Sequence, residues 1–231
     1  LSTSTFNQLK KYCNKHNYNY KIINYSLDTN RHIAWSKLLL MKQLIQETDY
    51  EYYVWIDDDI YISNLDITIE SFIEKYNFEN ILISDDPSNG NVYSCNSGIF
   101  ICKKNNKIIK YLDDIYKLGD EIYCEIWDNS AIDYHHKHID STFLTIIDLN
   151  ILQSFYRNWD LDEKYYWKKY HFCAHMCGMP LNNRLKFLNN AIEITENKHE
   201  NYLLPINFED KNIIIIDNFY NDINDVRIQA L

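Results

Sequence analysis

The sequence predicts an α/β domain with a mostly parallel central sheet flanked by helices. Short apolar runs at 52–56 and 81–84 are nearly continuous, which is typical of strands buried on both faces. Segments with apolar residues at helical spacing alternate with such runs along the chain. With 231 residues, the chain is long enough for one sizeable core.

The predicted helices share apolar residues three and four positions apart, and the predicted strands share short runs rich in Ile, Val and Tyr. In chain order we expect a helix at 6–16, a strand at 18–25, a helix at 34–46, a strand at 52–56, a helix near 67–76, strands at 81–84 and 98–102, helices at 106–118 and 122–136, strands at 143–147, 151–156 and 170–176, and a helix at about 182–194.

Acidic residues follow two of the predicted buried strands. Asp57, Asp58 and Asp59 end the first run, and Asp85 and Asp86 end the second. Ligands of such sheets bind outside the carboxyl ends of the strands, so both clusters are candidates for a binding site. Three adjacent carboxylates repel one another, and a hard cation such as Mg²⁺ or Mn²⁺ relieves that repulsion.

The spacing of the triplet divides its side chains. In an extended chain Asp57 and Asp59 point one way and Asp58 the other, so the outer pair can share one metal ion. Asp58 would then face away from that ion. A solvated acidic loop after a strand has the same sequence, so these residues alone leave metal binding open.

Composition excludes several classes of function. The formal charge of −10 argues against a nucleic-acid partner, although a divalent cation can bridge acidic side chains to a diphosphate. The sequence contains no Walker A motif, no GxGxxG motif and no apolar stretch of about 20 residues that would span a membrane. The six cysteines include no CxxC pair, which favours reduced core thiols over disulfides or a zinc ribbon.

Six short motifs occur in order within about residues 6–190. They are Trp35-Ser36-Lys37, Trp55-Ile56-Asp57-Asp58-Asp59, Cys95-Asn96-Ser97-Gly98-Ile99-Phe100, Trp127-Asp128-Asn129, Leu152-Gln153-Ser154-Phe155-Tyr156, and His175-Met176-Cys177-Gly178 followed by Arg184. Together they resemble glycosyltransferase family 34, the galactosyl- and mannosyltransferases, or a close GT-A relative. Asp58, Asn129 and Met176 depart from that family's pattern, which has Ser, Gln and Phe at these places.

The resemblance implies the GT-A fold of nucleotide-diphospho-sugar transferases and a metal site. Asp57 and Asp59 would hold Mn²⁺, or Mg²⁺, against the diphosphate of the donor, and His175 would complete the set of ligands. His171, four residues earlier, competes with His175 for that role, and either histidine also fits a buried core position.

Seven further residues are predicted to serve the substrates. Each also has a structural interpretation, as a solvated helix lysine for Lys37 and as a helix cap or turn residue for most of the others. Predicted donor contacts are Lys37, Asp58, Asp85 and Gly178, and predicted catalytic contacts to the transferring sugar or the acceptor are Asn96, Asp128 and Asn129.

The predicted activity is metal-dependent transfer of a hexose or pentose from a nucleotide sugar to a hydroxyl group on a glycan or protein. A UDP-sugar is favoured over a GDP-sugar, and the resemblance implies retention at the anomeric carbon. Two alternatives are a phosphohydrolase of the haloacid dehalogenase kind and an inactive relic that binds sugar nucleotides. The hydrolase expects Thr or Val where Tyr61 stands.

The transferase domain is predicted over 1–200, with the first strand of the fold missing or truncated. Residues 201–231 are predicted to be a C-terminal extension. The run at 213–216 and the four residues after it resemble the opening of an oxygenase domain, so a second domain is expected to start there. The resemblance implies a secretory lumen, but the sequence shows no signal or anchor, so a cytoplasmic location is equally consistent.

Overall fold

A computed structural model describes residues 2–87, 93–155, 162–196 and 212–218. Helices and strands alternate along most of these segments. The helices are α1 (Ser2–His16), α2 (Ser36–Glu47), α3 (Ile69–Tyr76), α4 (Asn106–Glu121), α5 (Trp127–His138), α6 (Leu149–Leu152) and α7 (Leu181–Glu196). The strands are β1 (Asn19–Ile23), β2 (Tyr52–Asp57), β3 (Ile60–Ile62), β4 (Ile81–Ser84), β5 (Asn96–Lys103), β6 (Leu144–Ile147), β7 (Ser154–Phe155), β8 (Cys173–His175) and β9 (Ile213–Asn218).

The central sheet has six strands in the order β1-β9-β2-β5-β4-β6. Strand β5 is antiparallel to both of its neighbours, and the other pairs are parallel. Strands β2 and β4 therefore end at the same edge of the sheet, which is where β5 begins. The mostly parallel α/β architecture predicted from sequence is confirmed, and the two acidic clusters lie at that edge.

The central sheet is covered on both faces, which explains its continuous apolar strands. Tyr53 and Trp55 of β2 belong to the core cluster that contains residues of α2, α4 and α5. Val54 and Ile56 belong to the opposite cluster, with residues of α1 and α3. Because successive side chains of a strand alternate between faces, a strand buried on both sides has no polar positions in its middle.

Strand β9 differs from its predicted place. Residues 201–231 are predicted to form an extension beyond the domain, but β9 lies between β1 and β2 and pairs with both in parallel. Ile213 and Ile215 face one core cluster, and Ile214 and Ile216 face the other, so the run of isoleucines is buried on both sides. The predicted boundary at residue 200 therefore separates this strand from its sheet. The rest of the extension lies outside the described residues, and a second domain there stays a prediction.

A small second sheet, in the order β3-β8-β7, adjoins the acidic triplet. Strand β3 starts one residue after Asp59 and is antiparallel to β8, and its first residue, Ile60, pairs with His175. The N–H of Met176 also donates to the carbonyl of Asp59 at 3.0 Å. The sequence analysis did not predict β3, because three residues carry too little periodicity to identify a strand.

Several predicted elements differ in extent, among them the helix at 122–136 and the strand at 151–156. The predicted helix at 122–136 begins only at Trp127, and Ser130 Oγ accepts a hydrogen bond from the N–H of Ile126 at 2.8 Å. The predicted strand at 151–156 begins as helix α6 and continues as β7, and Tyr156 lies outside the described residues.

All six cysteines lie in described segments, and none of them forms a disulfide. No helix among the described residues has the length and hydropathy of a membrane span.

We expect Ile215→Ala to lower the free energy of unfolding of the whole domain by about 2–5 kcal/mol, because the side chain is fully buried in the central sheet. Chemical denaturation of the full chain measures this change. Ile139→Ala is the control, since Ile139 is 58% exposed. Equal, small effects of the two substitutions would show that β9 is not part of this sheet.

Candidate functional site

The first acid of the triplet is held by two groups on the α2 side of the sheet. Asp57 is the last residue of β2, and its Oδ1 accepts a hydrogen bond from Nε1 of Trp55 at 2.7 Å. Lys37, in the first turn of α2, lies 3.2 Å from the same oxygen. The Asp57 side chain keeps about 30% of its surface exposed, so it is oriented from within and remains accessible at the edge of the sheet.

Lys37 lies below this edge rather than in solvent, with 3% of its surface exposed. Its Nζ lies 3.2 Å from Asp128 Oδ2 and donates to the carbonyl of Ser97 at 3.0 Å. Burial by itself would lower the pKa of the Lys37 ammonium, but attraction to Asp128 and Asp57 outweighs burial and raises it. Lys37 is therefore a buried cation shared by two carboxylates.

Asp59 and His175 meet because β3 and β8 pair. His175 Nε2 lies 3.2 Å from Asp59 Oδ1, and both residues are buried. On the other side, Nη1 of Arg184 from α7 lies 3.4 Å from Asp59 Oδ2. The Nε–H of Arg184 donates to the carbonyl of Met179 at 2.7 Å, which fixes the direction of the guanidinium group.

Asp57, Asp59 and His175 form a candidate metal site. Each offers one ligand atom, and these atoms all lie within 4.8 Å of one another. Two carboxylates and one imidazole suit Mn²⁺, and carboxylates also suit Mg²⁺. The group chosen from the sequence as metal ligands is thus brought together in space, with two of its three members buried, and the residues fit a divalent cation.

His171, the competing histidine, is placed differently. Its Nδ1 is 2.7 Å from the hydroxyl of Ser154, and it does not belong to the group of ligand atoms around Asp57 and Asp59. Burial lowers the pKa of His171. The register of β8 therefore favours His175 as the ligand.

Three residues predicted to contact the sugar or the acceptor lie around the start of β5. Asp128 is 3% exposed and accepts from Ser97 Oγ at 2.8 Å, and burial raises the pKa of its carboxyl while Lys37 opposes the rise. Asn129 accepts from the N–H of Ser97 at 2.8 Å and donates to the carbonyl of Cys95 at 2.9 Å. Asn96 is only partly buried and donates to Asp86 Oδ2 at 3.0 Å.

The remaining predicted donor contacts lie in turns or directly after a strand. Asp58 accepts a hydrogen bond from Thr5 Oγ1 at its backbone carbonyl, at 2.9 Å, and is not among the grouped metal ligands. Burial raises the pKa of Asp85, which follows β4. Gly178 is exposed and has a φ of 65° in the turn from Met176 to Met179, a conformation that favours glycine.

Sequence reasoning did not assign a role to three residues that shape the site. Trp55 orients Asp57, and Gln153 contacts His175, since its Oε1 lies 2.7 Å from Nδ1 of that ring. A Cβ atom at Gly98 would lie 2.2 Å from Cε1 of His175, so only glycine leaves room for the imidazole. All three lie within motifs quoted for the family resemblance, which is the signal that could have identified them.

Known proteins that resemble this chain are glycosyltransferases. The model of the galactosyl transferase GMA12/MNN10 family matches residues 1–115. A solved glycosyltransferase involved in the glycosylation of the major capsid of PBCV-1 is similar, with a TM-score of 0.65 and 18% identity over 82% of this chain and 92% of that chain. Mouse xyloside xylosyltransferase 1 in its apo form is more distant, with a TM-score of 0.44 and 13% identity over 78% of this chain and 75% of that chain. No curated protein sequence matches the chain.

These comparisons confirm two predictions. The PBCV-1 enzyme shows that the fold is that of the GT-A glycosyltransferases. The family match confirms the predicted resemblance over the segment that includes the acidic triplet and Lys37.

We expect Lys37→Met to destabilise the protein by about 3–5 kcal/mol, because it leaves Asp128 buried without its cation. Lys37→Met/Asp128→Asn should recover part of this loss, since neither partner is then charged. Lys42→Met, on the same helix, removes a half-exposed ion pair with Asp113 at 2.7 Å and should cost less than about 1 kcal/mol. Urea denaturation measures all three, and a similar small loss for Lys37→Met and Lys42→Met would contradict the buried-cation interpretation.

Proposed function

We propose that this chain, which belongs over residues 1–115 to the galactosyl transferase GMA12/MNN10 family, transfers a hexose or pentose from a nucleotide sugar in a cation-dependent reaction. Glycosyl transfer itself follows from the family match. The acceptor in this proposal is a hydroxyl group on a glycan or protein. The observation that carries the cation dependence is the group formed by Asp57, Asp59 and His175.

The charges at the edge of the sheet support a cation. The carboxylates there include those of Asp57, Asp59, Asp86 and Asp128, and Lys37 and Arg184 are cations that contact them. A donor diphosphate brings more negative charge, and like charges at a few ångströms repel strongly in a partly buried site. A divalent cation between Asp57, Asp59 and His175 would reverse the sign of that interaction.

A bound Mn²⁺ or Mg²⁺ would stabilise the negative charge that develops on the leaving nucleoside diphosphate as the sugar–phosphate bond breaks. The protein prepares this site from both sides. Trp55 and Lys37 fix the direction of Asp57, and Arg184 lies beside Asp59, where it can also face the diphosphate. Lys37 acts in this proposal through Asp57, since its ammonium is buried.

Retention at the anomeric carbon is our proposed stereochemistry. The Asp128 carboxylate is nearly fully buried, and its Oδ2 is already bonded to Lys37 and Ser97, which makes it a poor nucleophile. In a front-face reaction the acceptor oxygen forms the new bond to the anomeric carbon while the bond to phosphate breaks. The leaving phosphate takes the acceptor's proton, so the reaction needs no protein nucleophile.

We expect Asp59→Ala to lower turnover by at least about 100-fold, because a metal ion supplies several kcal/mol of transition-state stabilisation. Release of nucleoside diphosphate from a panel of nucleotide sugars with Mn²⁺ measures the activity. Asp49→Ala is the control, since it removes an exposed carboxylate that pairs with Lys104 near the start of β2. Unchanged, Mn²⁺-dependent turnover in Asp59→Ala would refute the proposed metal site.

The same assay, extended to simple phosphate esters, distinguishes the two alternative functions predicted from the sequence. Phosphate release from simple esters without a sugar donor would favour the phosphohydrolase. Donor binding without turnover in the parent protein would favour the inactive relic.

We propose UDP-sugars as donors, ahead of GDP-sugars. UDP with Mn²⁺ should raise the melting temperature more than GDP with Mn²⁺ at equal concentration, because ligand binding to the folded state shifts unfolding by mass action. Neither nucleotide should have much effect without the cation, since the carboxylates then face the diphosphate directly. A larger shift with GDP would reverse the donor assignment and leave the cation dependence intact.

A further inference from the structure

A series of hydrogen bonds links Asp86 to the metal ligand His175. Asn96 Nδ2 donates to Asp86 Oδ2 at 3.0 Å, and Gln153 Nε2 donates to Asn96 Oδ1 at 3.2 Å. His175 Nδ1 lies 2.7 Å from Gln153 Oε1, and Nε2 on the far side of the ring faces Asp59 at 3.2 Å. The series therefore starts at one acidic cluster and ends at the other.

The direction of these hydrogen bonds is fixed by backbone groups. Gln153 Nε2 also faces the carbonyl oxygen of Asn96 at 3.2 Å, which can only accept, so the amide nitrogen must be on that side. Asn96 Oδ1 accepts from the N–H of Gly98 at 3.0 Å, which can only donate. Neither amide can be reversed without losing these contacts. The oxygen of Gln153 therefore faces His175, and Nδ1 of the ring must carry a proton in order to donate to it.

This proton decides what the opposite nitrogen can do. A neutral imidazole with its proton on Nδ1 has a lone pair on Nε2, which is the form that binds a metal ion. Without Gln153, the carboxylate of Asp59 would favour a proton on Nε2, where the proton would occupy the position of the metal ion. Gln153 thus favours a proton on Nδ1, whereas Asp59 favours a proton on Nε2.

The ring also has little freedom to turn. His175 is 3% exposed and Gln153 is 1% exposed. The backbone of Gly98 approaches the ring so closely that a Cβ atom there would overlap with Cε1. The orientation of His175 is therefore set by packing, and its tautomer is set by Gln153.

We propose that Gln153 is a positioning residue for the metal ion: it holds His175 in the Nδ1–H tautomer and directs Nε2 toward Asp57 and Asp59. The backbone carbonyl of Asn96 fixes the direction of the Gln153 amide, and Asp86 accepts from Asn96 Nδ2 and holds that side chain in place. This inference rests on the proposed cation-dependent function, and it adds the residue on which the affinity of the third ligand depends.

A purely structural role for Gln153 makes a different prediction. Its Nε2 joins the segment before β7 to Ser84 and to Asn96 at the start of β5, and those bonds could serve only to hold the two sheets together. Gln153→Leu removes both the acceptor for His175 and these donors. Gln153→Glu keeps an acceptor for His175 and loses the donors, so it separates the two roles.

The test is a titration of the metal-free full chain with Mn²⁺, followed by electron paramagnetic resonance of the free ion. Gln153→Leu should raise the dissociation constant by about 10- to 100-fold, whereas Gln153→Glu should stay within about threefold of the parent even where its melting temperature falls. Ser154→Ala is the matched control, because it removes a partly buried hydrogen bond of the same length to the neighbouring His171. Its dissociation constant should also stay within about threefold of the parent.

Two results would overturn the inference: parental affinity in Gln153→Leu, or an equal loss of affinity in Gln153→Leu and Gln153→Glu. If Gln153→Leu does not fold, Gln153→Glu decides, since a loss of more than tenfold there indicates the structural role. Mn²⁺ binding by the parent and by Asp59→Ala distinguishes a failure of the proposed function from a failure of this inference. If the parent does not bind Mn²⁺, the metal site itself is refuted. If Asp59→Ala loses Mn²⁺ binding but Gln153→Leu keeps it, only the role of Gln153 is refuted.

The tautomer can be measured without any metal. Nitrogen-15 chemical shifts of the His175 ring in the metal-free parent, at a pH where the ring is neutral, should show the proton on Nδ1. The Gln153→Leu variant should shift the population toward Nε2–H. A neutral parent ring with its proton on Nε2 would contradict the proposal whatever the affinity for Mn²⁺.

Discussion

The buried ammonium group of Lys37 connects the elements that carry the site. It joins the start of α2 to the end of β2 through Asp57, to the start of α5 through Asp128, and to the start of β5 through Ser97. An isolated buried cation would be very unfavourable, so the group is stable only while both carboxylates remain in place. Asp57 is consequently held at the edge of the sheet by a contact that solvent scarcely reaches.

This arrangement divides the work among the carboxylates. Asp128 neutralises Lys37 beneath the edge of the sheet, and Asp57 keeps an accessible surface. Asp59, which precedes β3, contacts His175 of β8 and Arg184 of α7. The two halves of the proposed metal site are therefore supported by different elements, one mainly by helix α2 and one mainly by the pairing of β3 with β8. A divalent cation would bind side chains from both halves, so it would hold them in place as well as stabilise the leaving group.

The sequence predicted the part of the site that depends on local pattern. A continuous apolar run that stops at three acids identifies a buried strand and its carboxyl end, and the structure places Asp57 at the end of β2 and Asp59 in the turn that follows. The choice between His171 and His175 depends on the register of β8 against a three-residue strand, and no periodicity in the sequence contains that information. The placement of β9 failed for a similar reason, because strand order in a sheet is decided by contacts distant in sequence. Gln153 lies in a quoted motif, but its role follows from the direction of hydrogen bonds, which only coordinates show.

In the proposed function, Asp57, Asp59 and His175 bind one divalent cation, and that cation in turn binds the donor diphosphate. The most direct measurement is anomalous X-ray diffraction at the manganese edge from crystals grown with Mn²⁺ and UDP. We expect a single strong peak bonded to Asp57, Asp59 and His175 Nε2, with diphosphate oxygens on its open side. Ordered UDP with no peak among these three residues, or with a peak held by other side chains, would contradict the account.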